Sequence, residues 1–172
     1  PELQNGKFNK AFSNAAMHWI LRHKATRDSF FKDVYVALAP GGTFAFEMGG
    51  LGNVSEMRTA LLLTASSRIG GEAAHAADPW FFGDEEWAKN AMEKAGFRVD
   101  KVEREWRPTT ADAGGVEGWL RLFGSMIIDA VPEDQRDAMV KEAVAVLKEV
   151  CKKPDGGEMI SYVRLRALAT KI

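Results

Sequence analysis

The segment from Phe8 to Phe46 constrains the fold more than any other, because it places a helix between two apolar strands. A short strand is predicted at Phe8–Ser13, and apolar side chains then recur at helical spacing over Thr26–Leu38. The Ala39–Gly42 segment should end this helix, since proline cannot continue a helix and glycine tolerates positive φ. The next strand, Thr43–Met48, is apolar on both faces. Because strands that are buried on both faces and joined through a helix run parallel, the segment predicts a parallel α/β unit.

The rest of the chain continues with helices and strands and shows no internal repeat. Ser55 is expected to cap the first of these helices, and the charges of the third strand place that strand at a sheet edge. The predicted helices are Ser55–Ile69, Asp84–Ala95, Val116–Ala130 and Glu133–Lys152, an irregular loop is predicted at Ala76–Phe82, and the further strands are Phe97–Trp106 and Met159–Ala167.

Composition excludes several classes of protein. With 172 residues, 46% of them hydrophobic and 27% charged, the chain matches a globular domain. A net charge of −1 argues against nucleic acid as a partner, because phosphate binding draws on clustered Lys and Arg. No apolar run approaches the roughly 20 residues that span a bilayer, so we expect no membrane partner. The single cysteine, Cys151, suits a reducing compartment and is predicted to be a buried thiol in a cytoplasmic protein, with a nuclear location left open.

The run from Phe8 to Phe46, read as strand, Ser-Asn-Ala-x-x-His-Trp, helix, Pro-Gly-Gly, strand, resembles the class I methyltransferases that use S-adenosylmethionine (SAM). It is most similar to their trans-aconitate methyltransferase-like branch. The resemblance implies an α/β Rossmann-like sheet of order 3-2-1-4-5-7-6 with strand 7 antiparallel. The four predicted strands would be strands 4, 5, 6 and 7, with helices on both faces. The chain would then be the C-terminal part of such a domain, without its glycine-rich cofactor motif.

The resemblance also implies how the chain is organised. Residues 1–172 would form a single partial methyltransferase domain. Its parts would be a strand–helix–strand half-crevice at 1–53, helices and a strand at 54–107, an inserted helical cap at 108–157 and a final strand at 158–172. Since Phe8–Ser13 would lack one strand neighbour, its open edge should pair with a second copy or exchange elements with it. A homodimer is therefore expected.

Candidate cofactor residues follow the first strand, where the carboxyl ends of parallel strands form a ligand crevice. The resemblance implies that Ser13, Asn14, Ala15 and Ala16 contact the methionine part of SAM; a plain connecting loop is the alternative. His18 is the candidate catalytic residue, as a hydrogen-bond donor or a proton acceptor, and Trp19 would wall the pocket. Simple packing at the start of the next helix is the alternative for both.

The substrate side is predicted from two further groups of residues. Glu47, Gly49, Gly50 and Asn53 leave the second strand and would line the crevice, unless they are only a flexible connection. Trp119 and Arg121 lie on the predicted cap, where core packing and an ordinary solvated arginine are the alternatives. Other aromatic residues are predicted near the cap as pocket walls, with core packing again the alternative: Trp80, Phe81, Phe82, Trp106 and Phe123. No metal site is expected, because His23 and His75 lack the spacing of metal ligands.

The resemblance therefore implies a fragment of a SAM-dependent small-molecule methyltransferase, transferring the methyl group to an oxygen, for which a carboxylate is one candidate. In the family, acids at the ends of earlier strands bind the ribose and the adenine. Without them this chain should be inactive and bind no cofactor alone. The alternative is a non-catalytic dimerising or protein-interaction module derived from the same fold.

Overall fold

This computed structural model describes Leu3 and residues 5–172 of the chain. Strands separated by one or more helices make up this part. The strands are β1 (Phe8–Asn14), β2 (Leu38–Gly49), β3 (Phe97–Thr110) and β4 (Met159–Lys171). The helices are α1 (Met17–Ile20), α2 (Lys24–Ala37), α3 (Ser55–Ile69), α4 (Gly71–Ala77), α5 (Glu85–Ala95), α6 (Gly115–Phe123), α7 (Ser125–Asp129) and α8 (Glu133–Val150).

The strands form one mixed sheet in the order β1-β2-β4-β3. β1 runs parallel to β2, with Ala11 opposite Phe44 and Ser13 opposite Phe46. β4 runs antiparallel to β2, with Glu47 opposite Arg166. The predicted parallel α/β unit and the edge position of the third strand are therefore confirmed. β1 occupies the other edge of this described sheet.

The Ala39–Gly42 segment is not the turn that the sequence predicted. The helix does end before it, at Ala37, but β2 already begins at Leu38. Pairing moves from Phe8 opposite Leu38 to Lys10 opposite Thr43, so the extra residues of β2 form an irregularity in the ladder. Gly41 has a φ of 74°, which only glycine adopts at little cost. A proline at this irregularity gives up no regular ladder hydrogen bond, which explains why the segment stays in the strand.

The chain divides into two compact units, and the first contains residues 1–53, 80–106 and 163–172. Burial alternates along β2 in this unit: Phe44, Phe46 and Met48 are buried in the core, while the residues between them are only partly buried. The second strand is therefore less completely buried on its other face than predicted. Residues from α2, α5 and β4 complete this core, among them Phe31, Met92, Ala95, Leu165 and Ala167.

Helix α5 begins and ends as its sequence predicts. The Asp84 carboxylate accepts a hydrogen bond from the Trp87 backbone N–H, which satisfies one of the free donors of the first turn. Gly96 follows the last residue with a φ of 106°. These two caps fix the helix that carries Trp87 and Met92 toward the core.

The second unit contains residues 54–79 and 107–162. Ser55 does not cap α3, since the residue before the helix is Val54, with a φ of 46° and no side-chain cap. The helix that was predicted over Val116–Ala130 is broken at Gly124, where a Cβ would come within 2.6 Å of Leu61 Cδ1. Part of the predicted loop at Ala76–Phe82 belongs to α4. The core of this unit includes Met57, Leu61, Leu120, Ile127, Met139 and Leu147.

Cys151 lies at the end of α8 and is buried, as predicted. Burial, together with the Glu56 and Glu158 carboxylates, raises the pKa of this thiol to about 11. A protonated thiol is a poor nucleophile, so Cys151 is a packing residue. No described helix is long and apolar enough to cross a membrane.

Candidate functional site

The candidate site lies where β1 and β2 end side by side. Ala15 follows β1 directly, and its backbone N–H donates a hydrogen bond of 3.0 Å to the Glu47 carbonyl near the end of β2. Ala15 has a φ of 52°, a left-handed conformation that costs a residue with a Cβ about 1 kcal/mol or more. Strained backbone of this kind persists where the surroundings fix it. The chain therefore turns sharply at the sheet edge where α/β folds bind ligands.

The four predicted cofactor residues lie together at this turn. Ser13 and Ala16 are partly buried, while Asn14 and Ala15 are exposed. The side chains of Ser13 and Asn14 make no hydrogen bond to any described residue. Their polar groups are therefore available to a ligand, and the small side chain of Ala15 leaves its backbone accessible.

His18 is buried beside this turn, with a relative exposure of 7%. The backbone N–H of Gly49, the last residue of β2, donates a hydrogen bond of 3.2 Å to His18 Nδ1. The His18 carbonyl in turn accepts a hydrogen bond from the Phe81 N–H. Because Nδ1 accepts, the proton of a neutral ring is on Nε2.

Electrostatics keep His18 neutral. Burial first, and the positive charge of Arg164 second, lower the pKa of His18 from 6.5 to about 4, and the Glu47 carboxylate opposes this shift only partly. A base with so low a pKa removes protons poorly at neutral pH. Of the two predicted roles, the geometry and the charges favour the hydrogen-bond donor over the proton acceptor.

Aromatic rings surround His18 in the first unit. Its ring centroid lies 5.6 Å from that of Trp19 and 5.9 Å from that of Phe82. The Trp80 ring meets the Trp19 ring edge-on, with 5.6 Å between their centroids, and stacks on the Phe82 ring with 6.1 Å between centroids. Trp80 and Phe82 were assigned to the neighbourhood of the cap; the structure instead groups them with His18 and Trp19.

Glu47 is held by two arginines of β4. Its Oε1 accepts hydrogen bonds of 3.1 and 2.8 Å from Arg164, and its Oε2 accepts bonds of 3.3 and 3.4 Å from Arg166. Partial burial raises the pKa of Glu47, but the hydrogen bonds and charges of Arg164 and then Arg166 outweigh it and hold that pKa below its ordinary value. Glu47 is therefore an ionised anchor for the arginines, and Arg166 also pairs with Glu105 at 2.6 Å.

The turn after β2 is ordered, not a flexible connection. The Asn53 N–H donates to the Gly50 carbonyl at 2.9 Å, and the buried Asn53 side chain accepts from the Val163 N–H at 2.9 Å. A Cβ on Gly49 would come within 2.6 Å of Phe82 Cε1 and 2.8 Å of Asn53 Nδ2. Gly49 is thus required because the Phe82 ring lies directly against the backbone that binds His18.

Trp119 and Arg121 belong to the second unit. Trp119 is buried, and its indole N–H donates a hydrogen bond of 2.6 Å to the Tyr162 hydroxyl. Arg121 pairs with Glu117 at 3.0 Å and with Asp137 at 3.1 Å on the surface. The guanidinium that was predicted to meet a substrate carboxylate therefore already has two acidic partners.

Sequence reasoning did not single out Arg164 or Arg166. Their signal is the alternation of β4, in which arginines recur every second residue between apolar Val163, Leu165 and Ala167. Such spacing puts both charges on one face of the sheet. This spacing does not show that Glu47 of β2 accepts hydrogen bonds from both arginines.

The first unit also contains a cavity of about 550 Å³, which lies between α2 and α5. Its lining includes Lys24, Asp28, Phe31, Trp87 and Lys94. It contains none of the residues that the sequence predicted for the site, and it is formed by helices alone.

Comparison with known proteins shows similarity to methyltransferases. No protein-family model matches the chain. Over 99% of its length the chain is 36% identical to an uncharacterized methyltransferase of Schizosaccharomyces pombe (C70.08c), and it spans 65% of that protein's length. The structure of a Bacillus halodurans protein proposed to be a methyltransferase matches with a TM-score of 0.54 at 12% identity, covering 97% of this chain and 71% of that one. A structure of the SAM-dependent methyltransferases from Methanosarcina mazei gives a TM-score of 0.51 at 10% identity, with 98% and 61% covered.

The chain has the class I SAM-dependent methyltransferase fold. It is homologous to the yeast methyltransferase, a relation that 36% identity over nearly the whole chain supports.

Gly49→Ala should destabilise the first unit by about 1–3 kcal/mol, because the new methyl group would overlap Phe82 and Asn53. Urea unfolding measures this. Gly118→Ala is the matched control: no described atom lies within 4 Å of its Cβ position, and alanine favours the helix, so stability should stay equal or rise by up to about 1 kcal/mol. Equal stability of Gly49→Ala and the parent chain would contradict the close contact.

His18 should make stability depend on pH. Its pKa is lower in the folded chain than its ordinary 6.5, so the unfolded chain binds the proton more readily. The resulting stability is complete above about pH 6.5 and is lost as the pH falls toward about 4. Urea unfolding at about pH 7.5 and about pH 4.5 should show that the parent chain loses about 2–3 kcal/mol more than His18→Gln. Identical losses in both proteins would mean that His18 is protonated normally.

Proposed function

We propose that this chain is part of a SAM-dependent methyltransferase acting on a small molecule. The observation that carries the proposal is the strained turn at Ala15, which lies beside a buried, neutral His18 at the carboxyl ends of two parallel strands. Homology to the yeast methyltransferase supports the same reaction class.

The residues at the turn suit the methionine end of SAM. Asn14 and Ser13 offer polar groups without partners among the described residues, and the turn at Ala15 exposes backbone for close approach. SAM supplies the activated methyl group when it is bound. The chain's own contribution is to orient the acceptor and to exclude water, for which the rings of Trp19, Trp80 and Phe82 are suited. We propose an oxygen as methyl acceptor, because His18 is arranged to donate a hydrogen bond.

We further propose that β1, β2, β4 and β3 correspond to strands 4, 5, 7 and 6 of the class I sheet. The order of the described strands, with β1 parallel and β4 antiparallel to β2, supports this correspondence. In that case the acids that bind ribose and adenine in the family have no counterpart among these four strands. The 172 residues alone should then bind SAM weakly and transfer no methyl group.

Isothermal titration calorimetry tests the cofactor proposal. The isolated chain should give weak or undetectable heat with SAM and with its demethylated product, because only one end of the ligand finds partners. Asn14→Ala should reduce any residual affinity, whereas Asn90→Ala, in the cavity between α2 and α5, should leave it unchanged. Tight binding by this chain would contradict the proposed half-site, and loss of binding in both variants would contradict the role of Asn14.

We also propose that a second copy covers the outer edge of β1. β1 has a single strand neighbour in the described sheet, and Phe8 and Phe12 are 42% and 75% exposed. An unpaired strand edge with apolar side chains favours pairing with another chain. This association is compatible with a methyltransferase origin and needs no separate function.

Analytical ultracentrifugation tests this association. The chain should sediment as a dimer, and Phe12→Lys should shift it to the monomer, because a charge on β1 opposes strand pairing. Leu63→Lys, at an equally exposed apolar position in the second unit, should leave the dimer intact. A folded chain of monomer mass would contradict the proposal.

A further inference from the structure

We propose that His18 recognises its ligand by donating a hydrogen bond from Nε2 to a ligand oxygen, and that Phe82 positions His18 for this by holding the Gly49 amide. This inference rests on the proposed function and deepens it, since it assigns how the methyl acceptor is recognised. It makes His18 a recognition residue, not a general base.

The tautomer of His18 follows from its partner. A backbone N–H can only donate, so the Gly49 amide at 3.2 Å requires that Nδ1 carry no proton. The proton of the neutral ring is then on Nε2. A hydroxyl or a side-chain amide would impose this less firmly, because such groups can rotate to accept or to donate.

Nε2 is the only polar atom of this ring that lacks a described partner. His18 is 93% buried, yet every fully buried polar side-chain atom in the described part of the chain has a partner. Nε2 has none among the described residues, so a small opening must connect it to solvent. A ligand oxygen that enters this opening would accept the hydrogen bond that Nε2 has to offer.

The charges around His18 favour an electron-rich ligand atom. Arg164 lowers the pKa of His18 more strongly than Glu47 raises it, so of these two charges the positive one acts more strongly on the ring. The Arg164 side chain is only 12% exposed, and its charge is therefore weakly screened. A negatively charged oxygen is attracted to this charge, whereas an ammonium group is repelled.

Phe82 controls the geometry of the donor. Its ring lies against Gly49 so closely that even a methyl group on Gly49 would collide with it, and it also contacts the His18 ring. The ring therefore fixes both ends of the Gly49–His18 hydrogen bond. Removing it should loosen the amide and let the imidazole change tautomer.

Nitrogen-detected NMR of the histidine rings tests the tautomer directly. His18 should carry its proton on Nε2 and stay neutral down to about pH 5, while the exposed His23 and His75 serve as internal references. Phe82→Ala should give a mixture of tautomers and a higher pKa. Phe81→Ala is the matched control: it keeps the backbone N–H that bonds to the His18 carbonyl and removes only a ring that packs on Trp87, so it should leave the signals of the His18 ring unchanged. A proton on Nδ1, or normal titration of His18, would overturn the proposal.

Phenylacetate serves as the ligand probe, because it joins a charged oxygen to an apolar ring that suits the aromatic wall. It should shift the His18 Nε2–H signal, whereas phenethylamine at the same concentration should not. His18→Leu should weaken phenylacetate binding about tenfold, and His18→Gln, which keeps an N–H donor at similar reach, should recover part of the loss. Equal binding of acid and amine, or unchanged binding in His18→Leu, would overturn the proposal.

The two proposals fail separately. If SAM and its product do not bind even to a protein that also carries the first three strands of the class I sheet, while His18 keeps its tautomer and responds to phenylacetate, the proposed function is wrong and the role of His18 stands. If SAM binds but His18 lies in the other tautomer or ignores the probe, the role of His18 is wrong and the methyltransferase proposal stands.

Discussion

The parallel pairing of β1 with β2 is the constraint on which the site depends. It places Asn14 opposite Glu47, so that the chain leaving β1 meets the chain leaving β2 at one edge of the sheet. The Ala15 N–H then donates a hydrogen bond to the Glu47 carbonyl. In helix α1, which follows, His18 Nδ1 accepts a hydrogen bond from the Gly49 N–H. A slip of one residue would turn Phe44, Phe46 and Met48 away from the core, so the same burial that stabilises the sheet fixes the register of the site.

The site combines several local costs. Ala15 has a left-handed backbone, His18 is withdrawn from water, and Gly49 contributes no side chain to the core. Each cost is offset by a neighbour. Ala15 donates a hydrogen bond to the Glu47 carbonyl, and His18 accepts one from the Gly49 N–H. The Phe82 ring fills the space that a side chain at Gly49 would occupy. Costs that gather at one strand end are typical of a functional site, because a fold selected for stability alone would avoid them. Glu47 adds rigidity to the end of β2, because its carboxylate accepts hydrogen bonds from Arg164 and Arg166 of β4.

Much of the fold was readable because its signals are local. The Ser55–Ile69 helix has the bounds that its periodicity predicted, and α5 begins at an acid that caps it and ends at a glycine. The failures have physical reasons. Ala39–Gly42 has the composition of a turn, yet pairing with β1 draws it into the strand. The helix predicted over Val116–Ala130 has good periodicity throughout, yet it divides at Gly124, where a Cβ would come within 2.6 Å of Leu61 Cδ1. Periodicity is a local signal, and it carries no information about such a tertiary neighbour.

By itself, the sequence determined which residues stand at the end of each strand. The Ser-Asn-Ala-x-x-His-Trp run begins in the last residues of β1, and the Glu-Met-Gly-Gly run covers the end of β2. The sequence therefore determined that Asn14, His18 and Gly49 share one sheet edge once the strands run parallel. Only the tertiary structure decided what His18 is able to do. Its tautomer depends on an amide 31 residues away along the chain, and its neutrality depends on burial and on an arginine of the last strand. A ring's protonation is set by the field and the partners around it, and those are brought together only by folding.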